Sequence, residues 1–226
     1  MLCASCGERI LDKVAYHALC CARGESTRGH NRVRDVMHGG FAAADAGANI
    51  EVLGLIPSHP DLRPADVLTS AAHPNKTTAV DIGIRAPHAA GAGVDCTESY
   101  RQEKLTKYRP FFDELERQGI AYAPATFSAY GRRHPCVSDM MTLAAREAAR
   151  RRGIGNHSAL LRRWQRSAVA EVWRRASRMV LACLPRESQH AEFVLGGEAD
   201  GGVVLEDGGA PAVGGDEYEL ESNMSA

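Results

Sequence analysis

At 226 residues the chain has room for one domain of catalytic size plus appendages, because domains most often run to ~100–150 residues; a large multidomain enzyme is excluded. Hydrophobic residues make up 44% and charged residues 24%, and the longest strongly apolar run, Met179 to Leu184, falls far short of the ~20 residues of a membrane span. The net charge of −1 hides an asymmetry: residues 1–186 hold all 27 lysines and arginines against 18 acids, a net of +9 that suits a polyanionic partner, while ten acids and no cation fill residues 187–226.

The opening Met-Leu-Cys-Ala-Ser-Cys has no basic stretch followed by an apolar one and does not read as a secretory signal, so the chain is expected inside the cell, nuclear or cytoplasmic, with no membrane partner. Four of the seven cysteines fall within the first 21 residues, unlike the spread pairs of a disulfide scaffold. Cys3-x2-Cys6, ten residues, then His17-x3-Cys21 supplies four ligands suited to tetrahedral zinc, with Cys20 as the alternative to Cys21. All four positions would be filled by protein, so the predicted role is structural and metal binding would act as folding energy.

From Arg28 to about Ala46, Val33, Met37 and Phe41 recur at helical spacing, weakened at Gly39 and Gly40 by ~1 kcal/mol each. Three segments rich in β-formers follow: Ile50 to Leu55, Ala65 to Thr69 and Ala79 to Arg85. Ser99 to Gly119 is helical in pattern and Ile120 to Tyr130 reads as a fourth strand, an α/β layer order. Two more helices are predicted, Val137 to Arg152 and Ser158 to Leu184. The second sets Leu161, Trp164, Ala168, Val172, Met179 and Cys183 opposite Arg162, Arg163, Arg166, Arg174, Arg175 and Arg178, a basic face that suits either solvent or nucleic acid. Residues 187–226, with eight glycines and ten acids, are expected to be a disordered acidic tail.

Asp66 and Asp81 each sit alone among apolar residues in a strand-like segment, where aspartate is depleted. Two such carboxylates on one sheet edge suit Mg²⁺ or Mn²⁺, although either acid alone is better read as a cap or salt-bridge partner. On the helix from Ser99, Tyr108, Phe111 and Leu115 form the apolar stripe; Lys104 lies four and seven residues before the first two, and Lys107 four before Phe111. Both lysines are therefore expected on the sheet-facing side, where a lysine needs an anion. That register depends on Pro110 not restarting the helix. Glu51 is a candidate third acid, and His30 a helix-start histidine left outside the catalytic set.

In order, Cys-x2-Cys…His-x3-Cys, Arg28-Gly29-His30-Asn31, Arg63-Pro64-Ala65-Asp66, Asp81 and Lys104-x2-Lys107-Tyr108 resemble the C-terminal segment of site-specific non-LTR retrotransposon (reverse transcriptase) proteins. There a zinc knuckle precedes a restriction-like endonuclease of the PD-(D/E)xK superfamily. The resemblance covers residues 3–130 and implies that Asp66 and Asp81 bind catalytic Mg²⁺ or Mn²⁺, that Lys104 and Lys107 are active-site lysines, and that Cys3, Cys6, His17 and Cys21 hold structural zinc. Two departures stand out. Gly83 occupies the place, two residues after the second acid, where the superfamily usually has a lysine, and Gly29 separates Arg28 from His30.

The expected organisation is thus a CCHC zinc knuckle at 1–27, a restriction-endonuclease-like α/β core at 28–135 with a mixed sheet flanked by helices, a basic helical extension at 136–186 and the acidic tail at 187–226. The expected reaction is metal-dependent hydrolysis of a DNA phosphodiester, with DNA or RNA as partner and a reverse transcriptase supplied separately, since the chain reads as a detached or truncated tail of an element protein. The rival reading is an inactive retroelement fragment that serves as a zinc-dependent nucleic-acid-binding module.

Overall fold

Thr77–Arg85, in which Thr77, Thr78, Val80, Ile82 and Ile84 are β-branched, forms the central strand (β3) in a computed structural model that describes residues 1–185. Its neighbours differ in direction. The short β2 (Val67–Thr69) pairs with it antiparallel, and β4 (Ile120–Ser128) pairs parallel along its whole length, Thr77 opposite Ile120 through Arg85 opposite Ser128. Parallel pairing needs a crossover, which is supplied by α3 (Cys96–Tyr108), a 3₁₀ turn (Arg109–Phe111) and α4 (Phe112–Arg117). With β1 (Asn49–Ile50) antiparallel to β2, the mixed sheet has the order β1-β2-β3-β4. The chain is therefore mixed α/β, with four strands flanked by helices. The proposed acidic tail, 187–226, lies outside the described residues.

Most of the expected strand Ile50 to Leu55 is not one. Glu51 takes φ +49° and Gly54 φ +72°, so the chain turns off the sheet edge after two paired residues and inserts Leu55 and Ile56 into an apolar cluster. The helix expected from Ser99 to Gly119 is divided at Pro110. Proline has no N–H to donate, so although Arg109 keeps helical geometry the α-helical ladder gives way to the 3₁₀ turn: α3 stops at Tyr108 and α4 restarts at Phe112. At its other end α3 begins early, because the Asp95 carboxylate accepts from the N–H groups of Thr97 and Glu98.

Side-chain alternation along β3 divides the core. Val80 and Ile82 face Val33, Met37 and Phe41 of α2 (Arg23–Ala42), Val137 and Met141 of α5 (Pro135–Arg151), and Trp164, Ala168 and Val172 of α6 (Ser158–Cys183). Ala79 faces the other way, toward Tyr108, Leu115 and Ile120. Asp81 and Gly83 share that second face by parity. The 136–186 segment thus contributes to the main core; α6 crosses α2 so closely that Gly40 lies under the Trp164 ring, where a Cβ would come within 1.9 Å. Among the described residues no helix is long and apolar enough to cross a membrane.

Candidate functional site

The first cluster is built by a short loop. Cys3 and Cys6 flank a tight turn closed by Cys3 N–H to Arg9 O (2.7 Å) and Gly7 N–H to Cys3 O (2.8 Å). Asp12 then folds the chain back: its carboxylate accepts from the N–H groups of Val14 (3.1 Å), Tyr16 (2.8 Å) and His17 (2.9 Å), which carries His17 to Cys6 just ahead of the short α1 (Ala18–Cys21). The ligand atoms of Cys3, Cys6, His17 and Cys21 all lie within 4.8 Å of one another, with Cys3 Sγ 3.8 Å from Cys21 Sγ and Cys6 Sγ 3.3 Å from His17 Nε2. A tetrahedron with Zn–S bonds of about 2.3 Å has an S···S edge of about 3.8 Å, so the cluster can hold a metal such as zinc. Cys20 is exposed and outside the group, which assigns the fourth position to Cys21.

The sulfurs differ in readiness to ionise. Burial pushes the Cys3 thiol up, but the N–H groups of Cys6 and Ser5 and the neighbouring thiols outweigh it and bring the pKa down to about 7. The N–H groups of Glu8 and Arg9, aided by His17, lower that of Cys6, whereas burial and the adjacent sulfurs raise that of Cys21. A further sulfur escaped the sequence reading as a neighbour of this cluster. Cys183, at the end of α6, sits fully buried beside Cys3, is pushed up to about 12 by burial and by the other thiols, and its carbonyl accepts from Ala4 N–H at 2.9 Å.

The second cluster follows from strand register. The antiparallel β2–β3 ladder ends at Val67 opposite Val80, and Asp66 lies in a bend just before it, bordering the same cavity as Asp81. Asp66 N–H donates to Val80 O at 2.9 Å, while its carboxylate accepts from Ile82 N–H at 2.6 Å and lies 3.1 Å from His30 Nε2. Two neighbouring carboxylates repel each other unless a cation lies beside them. Lys104 supplies one: its Nζ donates to Asp81 Oδ1 at 2.6 Å, and the Tyr122 hydroxyl donates to Oδ2 at 2.5 Å. The Lys104 and Asp81 side chains are 13% and 12% exposed, so the pair is desolvated.

Burial pushes the Asp66 carboxyl up, but His30, the Ile82 amide and Lys104 outweigh it and hold it below the ordinary carboxylate range. For Asp81 burial prevails over Lys104 and Tyr122, with repulsion from Asp66 added, and its pKa is raised. Burial also disfavours the Lys104 ammonium, yet Asp81, Tyr100 and Asp66 raise its pKa overall. The Tyr122 hydroxyl stays protonated, held so by burial and by Asp81.

Asp66, Asp81, Lys104 and Lys107 border one cavity of about 350 Å³. Lys104 enters it over Gly83, where a Cβ would stand 2.6 Å from Lys104 Cε and 2.6 Å from the Tyr100 ring. The space over Gly83 is filled by Lys104 and Tyr100 of α3. Lys107 differs from expectation. It lies on α3 but is exposed at the rim, its ammonium 4.8 Å from the centre of the Tyr108 ring. Glu51 does not join the acids: it pairs with Arg34 and, at 3.8 Å, with Arg63.

His30, Tyr122 and Arg175 border or touch the site without having been chosen from sequence. His30 carried a signal, since it lies three and seven residues before Val33 and Met37 on the buried stripe of α2. Arg175 is expected with the other arginines on the basic face of α6 but is only 6% exposed and belongs to the buried stripe; Arg162, Arg163, Arg166 and Arg174 do face solvent. Comparison with protein-family models, curated proteins and solved structures gives no match for this chain.

Proposed function

We propose that the chain is a metal-dependent DNA endonuclease with a restriction-endonuclease-like core and an N-terminal zinc knuckle, related to the C-terminal region of site-specific non-LTR retrotransposon proteins. The observation that carries this reading is the convergence of Asp66 and Asp81 on one cavity with Lys104 drawn in over Gly83. Two hard oxygen donors in one cavity fit Mg²⁺ or Mn²⁺, and each carboxylate, although already hydrogen-bonded at both oxygens, keeps lone pairs for coordination. A divalent ion held there would polarise the scissile phosphorus and acidify the attacking water. Lys104 would stabilise charge developing on the phosphoryl oxygens, and Lys107, at the rim, would hold the adjacent phosphate. Tyr122 and His30 orient the two carboxylates. The sulfur cluster would hold structural zinc and anchor residues 1–22 to the end of α6 through Cys3, Ala18, Ala22, Met179 and Cys183.

A second reading, a non-catalytic nucleic-acid-binding module, is favoured by one observation: Asp81 is already neutralised by Lys104 and Tyr122, as in a site that needs no further cation. A plasmid-nicking time course with Mg²⁺, with Mn²⁺ and with EDTA separates the two. Asp66→Ala and Asp81→Ala are expected to abolish metal-dependent nicking, and Lys104→Ala to lower it by about 10²–10³-fold with DNA binding largely kept. Wild-type protein that binds DNA but does not nick it with either metal, even with a polymerase supplied, would establish the module instead.

A further inference from the structure

Among the described residues Arg175 stands out as a buried cation without an anion. Its aliphatic stem crosses α2 at Gly29, where a Cβ would lie 2.3 Å from Arg175 Cγ, so the glycine between Arg28 and His30 is the opening through which the side chain reaches the cleft. Its Nε donates to Ser26 O at 3.3 Å and Nη2 to Ser26 Oγ at 2.6 Å, both neutral acceptors. Nη1 is buried with no partner among the described residues. Only Tyr100 and Cys20 favour its charge, and neither outweighs desolvation. A buried guanidinium is normally paired with a carboxylate or another anion, and leaving it unpaired is costly. The residue borders the same cavity as Asp66, Asp81, Lys104 and Lys107.

We propose that Arg175 is a phosphate anchor of the cleft, its guanidinium holding the non-bridging oxygens of a nucleic-acid backbone phosphate next to the one that faces Asp66 and Asp81. Guanidinium suits this task because its planar fork presents paired donors to phosphate oxygens. The helix that supplies it, α6, lies outside the stretch that resembles retrotransposon proteins, so the cleft is completed by the C-terminal helix. The inference rests on reading the cavity as a nucleic-acid site, but it does not require that the site cleave.

The test is duplex-DNA binding by the zinc-loaded full chain without added Mg²⁺ or Mn²⁺, measured by fluorescence anisotropy across a salt series for wild type, R175M and R175K. Loss of one phosphate contact lowers the slope of log affinity against log salt by ~0.9. R175M should show that loss, R175K should keep the wild-type slope, and R175M should melt no lower than wild type, because its apolar stem still fills the gap at Gly29. An unchanged slope in R175M overturns the proposal, and so does an R175M chain that melts well below wild type or fails to fold, which would mark Arg175 as a structural strut. A wild-type chain that never nicks, with the slope still lower in R175M, supports the anchor while removing the nuclease reading. Nicking that persists while R175M keeps the full slope does the reverse.

Discussion

The sulfur cluster and the carboxylate cleft are assembled in opposite ways. Every ligand of the first lies between Cys3 and Cys21, in a loop shaped by one turn and one aspartate, Asp12. The second is closed by contacts as distant in sequence as Arg175 and Ser26, 149 residues apart. A local loop with almost no core of its own depends on its ion for order, whereas a cleft between packed elements is ordered by the core and can hold costly groups, such as a desolvated Lys104–Asp81 pair, in place. Perturbing the two sites should therefore give different kinds of failure.

The largest effect is expected at the sulfur cluster. Chelation, Cys3→Ser or His17→Ala should release stoichiometric zinc and unfold residues 1–22, while the Thr77–Arg85 strand keeps its protection. Elemental analysis and hydrogen exchange by mass spectrometry read both outcomes. Equal zinc in wild type and variants would remove the assignment. Loss of protection in β3 together with residues 1–22 would erase the distinction between the sites and make the ion a determinant of the whole fold.

Next in size is Lys104→Ala. Removing one partner of a buried ion pair leaves the other uncompensated, at about 3–5 kcal/mol, and Asp81 is that partner here. The double variant Asp81→Ala/Lys104→Ala should recover a large part of the loss, because it strands neither charge. Denaturant unfolding checks the cycle. A double variant as unstable as the sum of the singles would show that the two side chains do not act as a pair.

How far each site could be read from sequence follows the same division. The Cys3-x2-Cys6…His17-x3-Cys21 spacing contains its geometry, because ligands a turn apart must meet; only the choice of Cys21 over Cys20 awaited coordinates. For the cleft, strand parity and helix spacing put Asp81 and Lys104 on faces that meet. What they could not give was partnership between elements. Arg175 lies three residues after Val172 and four before Met179, so its spacing already set it on the buried stripe of α6; that its side chain reaches the cleft past Gly29 of α2 was not legible. Tyr122 sits in a strand whose register against β3 is set by the crossover helix, so its hydroxyl could not be matched to Asp81 in advance. The errors in element boundaries have local causes, at Pro110 and at the positive φ of Glu51, and the second also turned the Glu51 side chain toward Arg34.

Gly83→Ala probes that partnership more gently. The added Cβ would press on Lys104 Cε and the Tyr100 ring at 2.6 Å each. Overpacking of this kind costs about 1–3 kcal/mol, moderated here because a lysine terminus can move. The expected outcome is a moderate drop in melting temperature with a larger drop in nicking, since Lys104 is displaced from Asp81 more easily than the sheet is disturbed. Unchanged nicking at reduced stability would separate the lysine from the chemistry.

The smallest effect is predicted for Lys107→Ala, and it marks the limit of the cleft. Lys107 is exposed and contacts only the Tyr108 ring face, with its ammonium 4.8 Å from the ring centre, so its removal strands no charge and opens no cavity. Stability should stay within the range of ordinary surface substitutions, about ±0.5 kcal/mol. If Lys107 holds a phosphate beside the scissile one, the salt slope of DNA binding should fall by ~0.9 and nicking should weaken mainly at low DNA concentration, with turnover at saturation largely kept. A loss of turnover as deep as that of Lys104→Ala would place Lys107 inside the reacting group instead. The ammonium would then have to leave the Tyr108 ring and turn inward when DNA binds, a movement that only a rim residue unconstrained by the core can make.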